Sequence, residues 1–209
     1  MYYDFGKDVI SVISANEFDI LKVVIKNMIN VFSKNSLFST TVVDANNFFD
    51  EFDYLMTYLN GNYNELIDAL TKMNDSIQSV LAENNMNYKS IDYFTNNLIV
   101  IIGFEKFYGK LDDEHKKSLH KIFADNKEKP KISFVFFDLP SVFKKYESEE
   151  WYKNNYDNTN GIWIGPGLGQ QFVIKAISVS SSLSTLTPEY GIVIKKGNAA
   201  TVKVINEIK

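Results

Sequence analysis

Cysteine is absent from this 209-residue sequence. Without thiols, the chain can form neither disulfide bonds nor a thiolate metal site, which is compatible with a reducing compartment. Long apolar runs are also absent, since no segment approaches the ~18 residues that a membrane-spanning helix requires. The first residues contain neither the basic nor the apolar segment of a signal peptide. We therefore expect no signal peptide and no insertion of this chain into a membrane.

The chain also lacks an excess of positive over negative charge. The formal net charge is -4, and the short basic segments lie among acidic or neutral residues. Duplex nucleic acid requires a concentrated basic face, so we expect no nucleic-acid partner. The two histidines, His115 and His120, do not have the i, i+4 spacing of a helical metal pair, and neither lies near a strained serine turn. The sequence therefore predicts no metal site and no catalytic residues.

The apolar residues that are present predict an α/β protein. Hydrophobic residues make up 45% of the chain and aromatic residues 14%, which indicates a globular fold with a large aromatic core. Apolar segments predicted as strands alternate with segments of helical periodicity. The predicted strands are 8–13, 37–44, 97–102 and 132–137, and the predicted helices are 18–32, 62–83 and 111–126.

This alternation predicts a mostly parallel sheet flanked by helices. Residues 45–60 are predicted to form a short helix and a loop, and Asn62 or Asn64 is predicted to cap the following helix. Residues 191–194 and 201–205 flank a Lys-Lys-Gly-Asn turn and predict a C-terminal β-hairpin. No linker divides the chain, so we expect a single domain over residues 1–209.

The connection between the first strand and the first helix is where a nucleotide-binding fold would place G-x-x-x-x-G-K-[ST]. The corresponding positions here are Ser14, Asp19, Ile20 and Leu21. Asp19 places a negative charge where phosphates would bind, Ile20 offers no donor, and Glu17 adds to the repulsion. The sequence therefore predicts a degenerate phosphate loop.

The strand that would support Mg²⁺ is degenerate as well. Such a strand ends in an acidic residue, whereas residues 99–102 are followed by Gly103 and Phe104, and the first carboxylate is that of Glu105. We therefore expect no cofactor. The residues of the predicted degenerate pocket are Ser14, Ala15, Asn16, Glu17, Asp19, Ile20, Leu21, Gly103 and Glu105.

These two segments leave alternatives open. An α/β protein that never bound a nucleotide can also begin with a strand and a helix. Asp44 and Asp138 each follow a predicted strand, where they would either line a vestigial cleft or form turns and helix caps. The acidic and aromatic run at residues 50–54 would meet a basic partner or form a solvated loop.

Residues 147–171 (ESEEWYKNNYDNTNGIWIGPGLGQQ) form the most specific segment of the chain. Trp151, the Gly-Ile-Trp-Ile-Gly segment at 161–165, Gln170 and the ending GIVIKKGNAATVKVI at 191–205 occur together. In these motifs the sequence resembles the third, C-terminal FtsK/SpoIIIE-like ATPase domain of EssC, a type VII secretion protein of Gram-positive bacteria. The two degenerate segments agree with that domain.

The resemblance implies a RecA-like (P-loop NTPase-type) fold and a place in a membrane-anchored parent protein, on the cytoplasmic side of the cell membrane. ATP and Mg²⁺ would then be ligands of the parent's other motor domains. The parent exports helical-hairpin substrates of the WXG100 class, and its last domain docks a substrate signal and regulates export. The implied partners are these substrates and the neighbouring ATPase domains of the same chain.

Several residues of the resembling segment are candidates for partner binding. Trp163 would be either a solvent-facing docking residue or part of the core, and Trp151 is predicted to be a packing residue. Two other functions stay open: a weak ATP-binding or ATPase module completed by a neighbouring domain, and a structural spacer in a ring. The candidate partner-binding residues are Trp151, Gly161, Trp163, Gly165 and Gln170.

Overall fold

Eight strands form one sheet at the centre of the protein. The computed structural model describes residues 3–34, 36–49, 56–57, 61–177 and 186–204. The strands are β1 Ile10–Ala15, β2 Phe38–Asp44, β3 Met56–Thr57, β4 Asn96–Ile102, β5 Ile132–Phe137, β6 Gly161–Ile164, β7 Tyr190–Lys195 and β8 Asn198–Lys203. The α-helices are α1 Phe18–Ser33, α2 Tyr63–Glu83, α3 Phe104–Lys110, α4 Asp113–Asp125, α5 Pro140–Lys144 and α6 Glu150–Asn155.

The strand order is β3-β2-β4-β5-β1-β6-β7-β8. The strands from β3 to β6 in this order are all parallel to their neighbours. β7 pairs antiparallel with β6, and β8 pairs antiparallel with β7 as a hairpin at the edge. The prediction of a mostly parallel sheet with flanking helices and a C-terminal hairpin is therefore confirmed.

The central strands consist of continuous apolar runs because helices cover both faces of the sheet. All six residues of β5 are buried. α1 covers one face, with Leu21, Ile25 and Ile29 in its core. Helices α2, α3, α4 and α6 contribute to the core of the opposite face, which also contains Trp163. None of the described helices is long and apolar enough to cross a lipid bilayer.

Some predicted boundaries were wrong. The helix predicted over 111–126 begins only at Asp113, because the Asp112 carboxylate accepts a hydrogen bond from the His115 N–H and caps α4 there. A separate helix, α3, directly precedes this break. Asn62 stands at the N-cap position of α2, but its side chain donates to Glu65 instead of capping the helix.

Within the segment predicted as a short helix and a loop, Met56–Thr57 forms strand β3. The acidic run at residues 50–54 lies outside the described residues. The sequence analysis also missed α5 and α6, which are only one to two turns long and carry too few residues for a periodic pattern.

A buried asparagine joins α4 to the sheet. The Asn126 amide nitrogen donates to Asn74 Oδ1 of α2 and to the Ile122 carbonyl, each at 2.9 Å. Its amide oxygen accepts from the N–H groups of Lys131 and Ile132, each at 3.1 Å. Because both donor and acceptor are fully used, this side chain fixes the connection from α4 into β5.

Asn126→Ala is expected to lower the free energy of unfolding by about 2 kcal/mol or more, since it leaves buried N–H groups without acceptors. Urea denaturation followed by circular dichroism would measure the loss. The exposed Asn154 offers a control, and Asn154→Ala should change stability by less than about 0.5 kcal/mol. Equal stability of the two variants would contradict the role assigned to Asn126.

Candidate functional site

The candidate site lies at the carboxyl edge of the sheet, where β1 and β5 end side by side. After β1 the chain turns to α1 on one face, and after β5 it turns to α5, which packs in the core of the other face. Neighbouring parallel strands whose connections leave in opposite directions open a crevice between them. This crevice is the position at which open α/β sheets bind their ligands.

A hydrogen bond inside the protein spans the crevice. The Ser14 hydroxyl, at the end of β1, donates to the carbonyl oxygen of Asp138, just after β5, at 2.7 Å. Both residues are buried. The only hydroxyl of the degenerate loop is therefore bonded to the neighbouring strand end.

A second contact ties the degenerate loop to the turn after β6. The Asn16 amide nitrogen donates to the carbonyl oxygen of Pro166 at 3.1 Å. The same oxygen accepts from the indole N–H of Trp163 at 3.0 Å. The side chain of Ile20 approaches Gly165, where a Cβ atom would lie 3.7 Å from it. The loop therefore packs against the turn that contains Gly165 and Pro166.

Charged side chains near the start of α1 also form contacts within the chain. α1 begins at Phe18, and the side chain of Glu17 does not cap it. Asp19 pairs with Lys22 at 3.1 Å, and the Lys22 ammonium lies 4.3 Å from the centre of the Phe48 ring. Lys22 is the nearest lysine along the chain, and these contacts direct its charge toward Asp19 and Phe48.

The end of β4 has a different geometry from a metal-supporting strand. Gly103 has a φ of 79°, and a Cβ atom there would lie 2.5 Å from the Asn46 amide nitrogen, so only glycine fits. α3 begins immediately afterwards, and the Glu105 side chain forms an ion pair with Lys145. Glu105 therefore lies near Gly103 in the chain, but its carboxylate binds an exposed lysine.

Two buried carboxylates follow β2 and β5. Asp44 accepts from the N–H groups of Asn46, Phe48 and Phe49 at 3.1, 2.7 and 2.9 Å. Asp138 accepts from the N–H groups of Leu139 at 2.9 Å and of Glu105, at the start of α3, at 3.4 Å.

Burial raises the pKa of Asp44 and of Asp138, while the backbone hydrogen bonds oppose that shift. These contacts support the interpretation of both residues as turn and cap residues.

The polar groups of the crevice are bonded within the chain. The crevice offers a bonded serine, an amide bonded to a carbonyl and an acidic first helical turn. No three acidic or histidine side chains converge as a metal site among the described residues. All 22 residues counted as Lys or Arg are lysines, so this chain has no arginine to supply to a neighbouring active site.

The candidate partner-binding residues do not form one exposed surface. Trp163 is 0% exposed, which supports its interpretation as core and conflicts with a solvent-facing role. Trp151 is also buried, and its ring stacks 5.1 Å from that of His120. Gly165 donates its N–H to the Tyr190 carbonyl at 2.8 Å and lies in the turn after β6. Gly161 is the first residue of β6.

Two members of this set line open clefts. Trp151 lines one beside His120. Gln170 lines another, of about 980 Å³, between the α5–α6 segment and residues 170–175. Phe143, Tyr152 and Val173 also line this cleft. The sequence analysis missed the cleft because packing between distant segments creates it. The aromatic spacing of Tyr152 and Tyr156, one helical turn apart, was the available signal.

The fold matches solved structures of FtsK- and TcpA-like P-loop ATPases, which confirms the RecA-like α/β prediction. The cytoplasmic domain of EssC superimposes on 97% of this chain with a TM-score of 0.73 and 9% sequence identity, over 40% of its own chain. The pCW3 conjugation coupling protein TcpA, in a monomer form with ATPγS, matches 98% of this chain with a TM-score of 0.65 and 14% identity, over 62% of its own chain.

A third structure contains a peptide. Thermomonospora curvata EccC (ATPases 2 and 3), in complex with a signal sequence peptide, matches 100% of this chain with a TM-score of 0.63 and 10% identity, over 39% of its own chain. The chain thus spans less than two thirds of each of these proteins. No protein-family model and no curated protein matches the sequence. At these identities the similarity establishes the fold.

Trp163→Ala is expected to lower the free energy of unfolding by about 3–5 kcal/mol, because it removes a large buried ring from the core. Trp163→Phe keeps most of that ring and loses the bond to Pro166, so its cost should be smaller, about 1–3 kcal/mol. Chemical denaturation would measure both. A Trp163→Ala variant as stable as the unmodified chain would contradict the burial of Trp163 in the core.

Proposed function

We propose that this chain is a motor-like domain of a type VII secretion ATPase that no longer hydrolyses nucleotide and acts in substrate recognition and in the regulation of export. The observation that carries this proposal is the internally bonded crevice, in which Ser14 binds Asp138 and Asn16 binds Pro166. A nucleotide would have to displace both contacts, and Asp19 and Glu17 would then repel its phosphates.

The similar structures support the secretion part of the proposal. Two are cytoplasmic ATPase domains named EssC and EccC, and the EccC domains were solved with a signal sequence peptide. We assign this chain to the third, C-terminal ATPase position, on the motifs at Gly161–Gly165 and 191–205. In that position it belongs to a membrane-anchored parent and faces the cytoplasm. Its partners are then WXG100-class substrates and the neighbouring ATPase domains.

The two alternative functions require different binding properties of this chain. A weak ATPase completed by a neighbour would need a phosphate-binding loop in this chain, and the contacts of Ser14 and Asn16 oppose it. A structural spacer would need neither nucleotide nor peptide binding. Binding measurements on the isolated chain therefore separate the three functions.

Calorimetric titration of the purified chain with Mg²⁺-ATP is expected to show no binding up to millimolar nucleotide, because the loop lacks the glycines and the lysine that hold phosphates and its Ser14 and Asn16 side chains are bonded within the chain. A matched variant with Glu17→Gln and Asp19→Asn removes the repulsion and leaves the bonded crevice. It should also show no binding, because the glycines and the lysine of a phosphate loop are still missing.

Micromolar binding of Mg²⁺-ATP by the unmodified chain would contradict the proposal and support the weak ATPase function. Binding only by the neutralised variant would show that repulsion alone, without the bonded crevice, excludes nucleotide. A chain that binds neither nucleotide nor any substrate peptide would support the spacer function.

A further inference from the structure

The cleft beside α6 begins near the carboxyl edge of the sheet, where Pro140 and Ser141 follow β5. One wall is the α5–α6 segment, from Pro140 to Asn158, and the other is the irregular segment that ends at Lys175. The two walls meet near the start of β6, where the Lys175 N–H donates to the Asn158 carbonyl at 2.6 Å. The cleft, at about 980 Å³, is large enough to hold several side chains of a bound segment.

The side chain of Gln171 stabilises the second wall of the cleft through hydrogen bonds. The Gln171 amide nitrogen donates to the carbonyl oxygens of Leu168 and Ile174 at 3.0 and 2.7 Å. Its amide oxygen accepts from the N–H groups of Val173 and Ile174 at 2.7 and 2.9 Å. The turn is therefore closed by four hydrogen bonds, and the residue inside it, Phe172, is 74% exposed at the rim of the cleft.

Phe172 is one of several large apolar side chains that are exposed in the described part of the chain, and it differs from the others in lining the cleft. A phenylalanine in water gains nothing for the fold, whereas a rigidly presented ring loses little entropy when a partner covers it. Phe143 and Val173 extend the apolar surface into the cleft. The rim therefore provides one preorganised apolar contact above an apolar floor.

The cleft also carries polar groups that lack partners. Lys144, Lys153 and Lys175 line it, and none of them forms an ion pair with another residue that the structure describes. Two acidic residues, Glu147 and Asp157, also line it. Asp157 is bonded within its own turn, to Thr159 and Asn160. The lysines therefore outnumber the carboxylates in a chain whose net charge is -4.

The Tyr152 hydroxyl is a further unpartnered group on the cleft wall. The residue is 7% exposed, and no hydrogen-bond partner for its hydroxyl occurs among the described residues. Burial raises the pKa of Tyr152, so its hydroxyl keeps its proton and stays a donor at neutral pH. The hydroxyl oxygen is itself buried, so it offers no contact to a molecule bound in the cleft.

We propose that this cleft is a docking site for an acidic amphipathic peptide, whose apolar side chains pack on Phe172 and the floor while its carboxylates meet the three lysines. The proposal rests on the recognition function above and names where and by what chemistry recognition occurs. The charge of the rim selects acidic over basic segments.

The test uses fluorescence anisotropy of a short labelled peptide in which glutamates separate leucines at helical spacing. The complete chain is expected to bind this peptide, and not a control peptide with lysines in place of the glutamates. Phe172→Ser should weaken binding roughly tenfold or more, as loss of a central aromatic contact does. Tyr93→Ser, at another exposed aromatic residue outside the cleft, should leave the affinity unchanged.

A charge variant tests the lysines separately. Replacing all three lysines of the cleft by glutamine should weaken binding by roughly tenfold and reduce its salt dependence. Its control replaces three exposed lysines elsewhere and keeps the net charge equal, so long-range attraction is matched. The control substitutions are Lys72→Gln, Lys106→Gln and Lys117→Gln.

Absence of binding by the acidic peptide, or equal binding of the basic one, would overturn the proposal. Binding that neither the Phe172 variant nor the cleft lysine variant weakens would place recognition elsewhere and would overturn the assignment of the cleft. The Mg²⁺-ATP titration is independent of these outcomes. A chain that binds ATP tightly would contradict the proposed function whatever the peptide does.

Discussion

The carbonyl oxygen of Pro166 is the acceptor on which the arrangement of this domain depends. It receives the Asn16 amide from the degenerate loop and the Trp163 indole from the buried face of β6. The Trp163 side chain is buried, so leaving its indole N–H unpaired would be costly, whereas Asn16 is exposed. One backbone oxygen thus fixes the loop after β1 against the turn after β6.

The contact pattern at this edge is consistent from strand to strand. The polar groups that follow β1, β2 and β5 all bond to the backbone of this chain: Ser14 to a carbonyl, and Asp44 and Asp138 to N–H groups. In a nucleotide-binding edge, some of these groups would instead be directed to a ligand. Because buried carboxylates are stable only when they are hydrogen-bonded, their backbone partners hold the edge in one conformation.

Much of the fold was predictable because its central strands are buried on both faces. After Asn96 and Asn97, β4 is wholly apolar, and β5 is apolar except for Ser133, a pattern that no exposed helix would carry. The separation of α3 from α4 was not predictable, since apolar residues continue through Leu111 and only the cap formed by Asp112 marks the break. α5 and α6 are too short to show a period.

Part of the candidate site was likewise predictable from the sequence, and part was not. The missing glycines and lysine are visible in the sequence because the phosphate loop is a local motif. The bond from Asn16 to Pro166 joins residues 150 positions apart, so no local pattern indicates it. Trp163 shows the limit for a single residue: a tryptophan in a short strand is compatible with core and surface, and Trp163 is buried in a core to which α2, α3, α4 and α6 contribute.

The bonded crevice and the cleft share one stretch of chain. The turn that contains Pro166 continues through Leu168 into the segment that the Gln171 hydrogen bonds stabilise. One wall of the cleft therefore follows, along the chain, directly after the turn that contacts the loop of the crevice. Binding at the cleft can move the crevice only if a peptide has different affinities for two arrangements of that segment. The four hydrogen bonds of Gln171 favour a single arrangement, so the cleft is preformed. For the proposed recognition function, binding would then depend on the fit of the peptide, and coupling to a neighbouring motor domain would have to pass through the interface between the two domains.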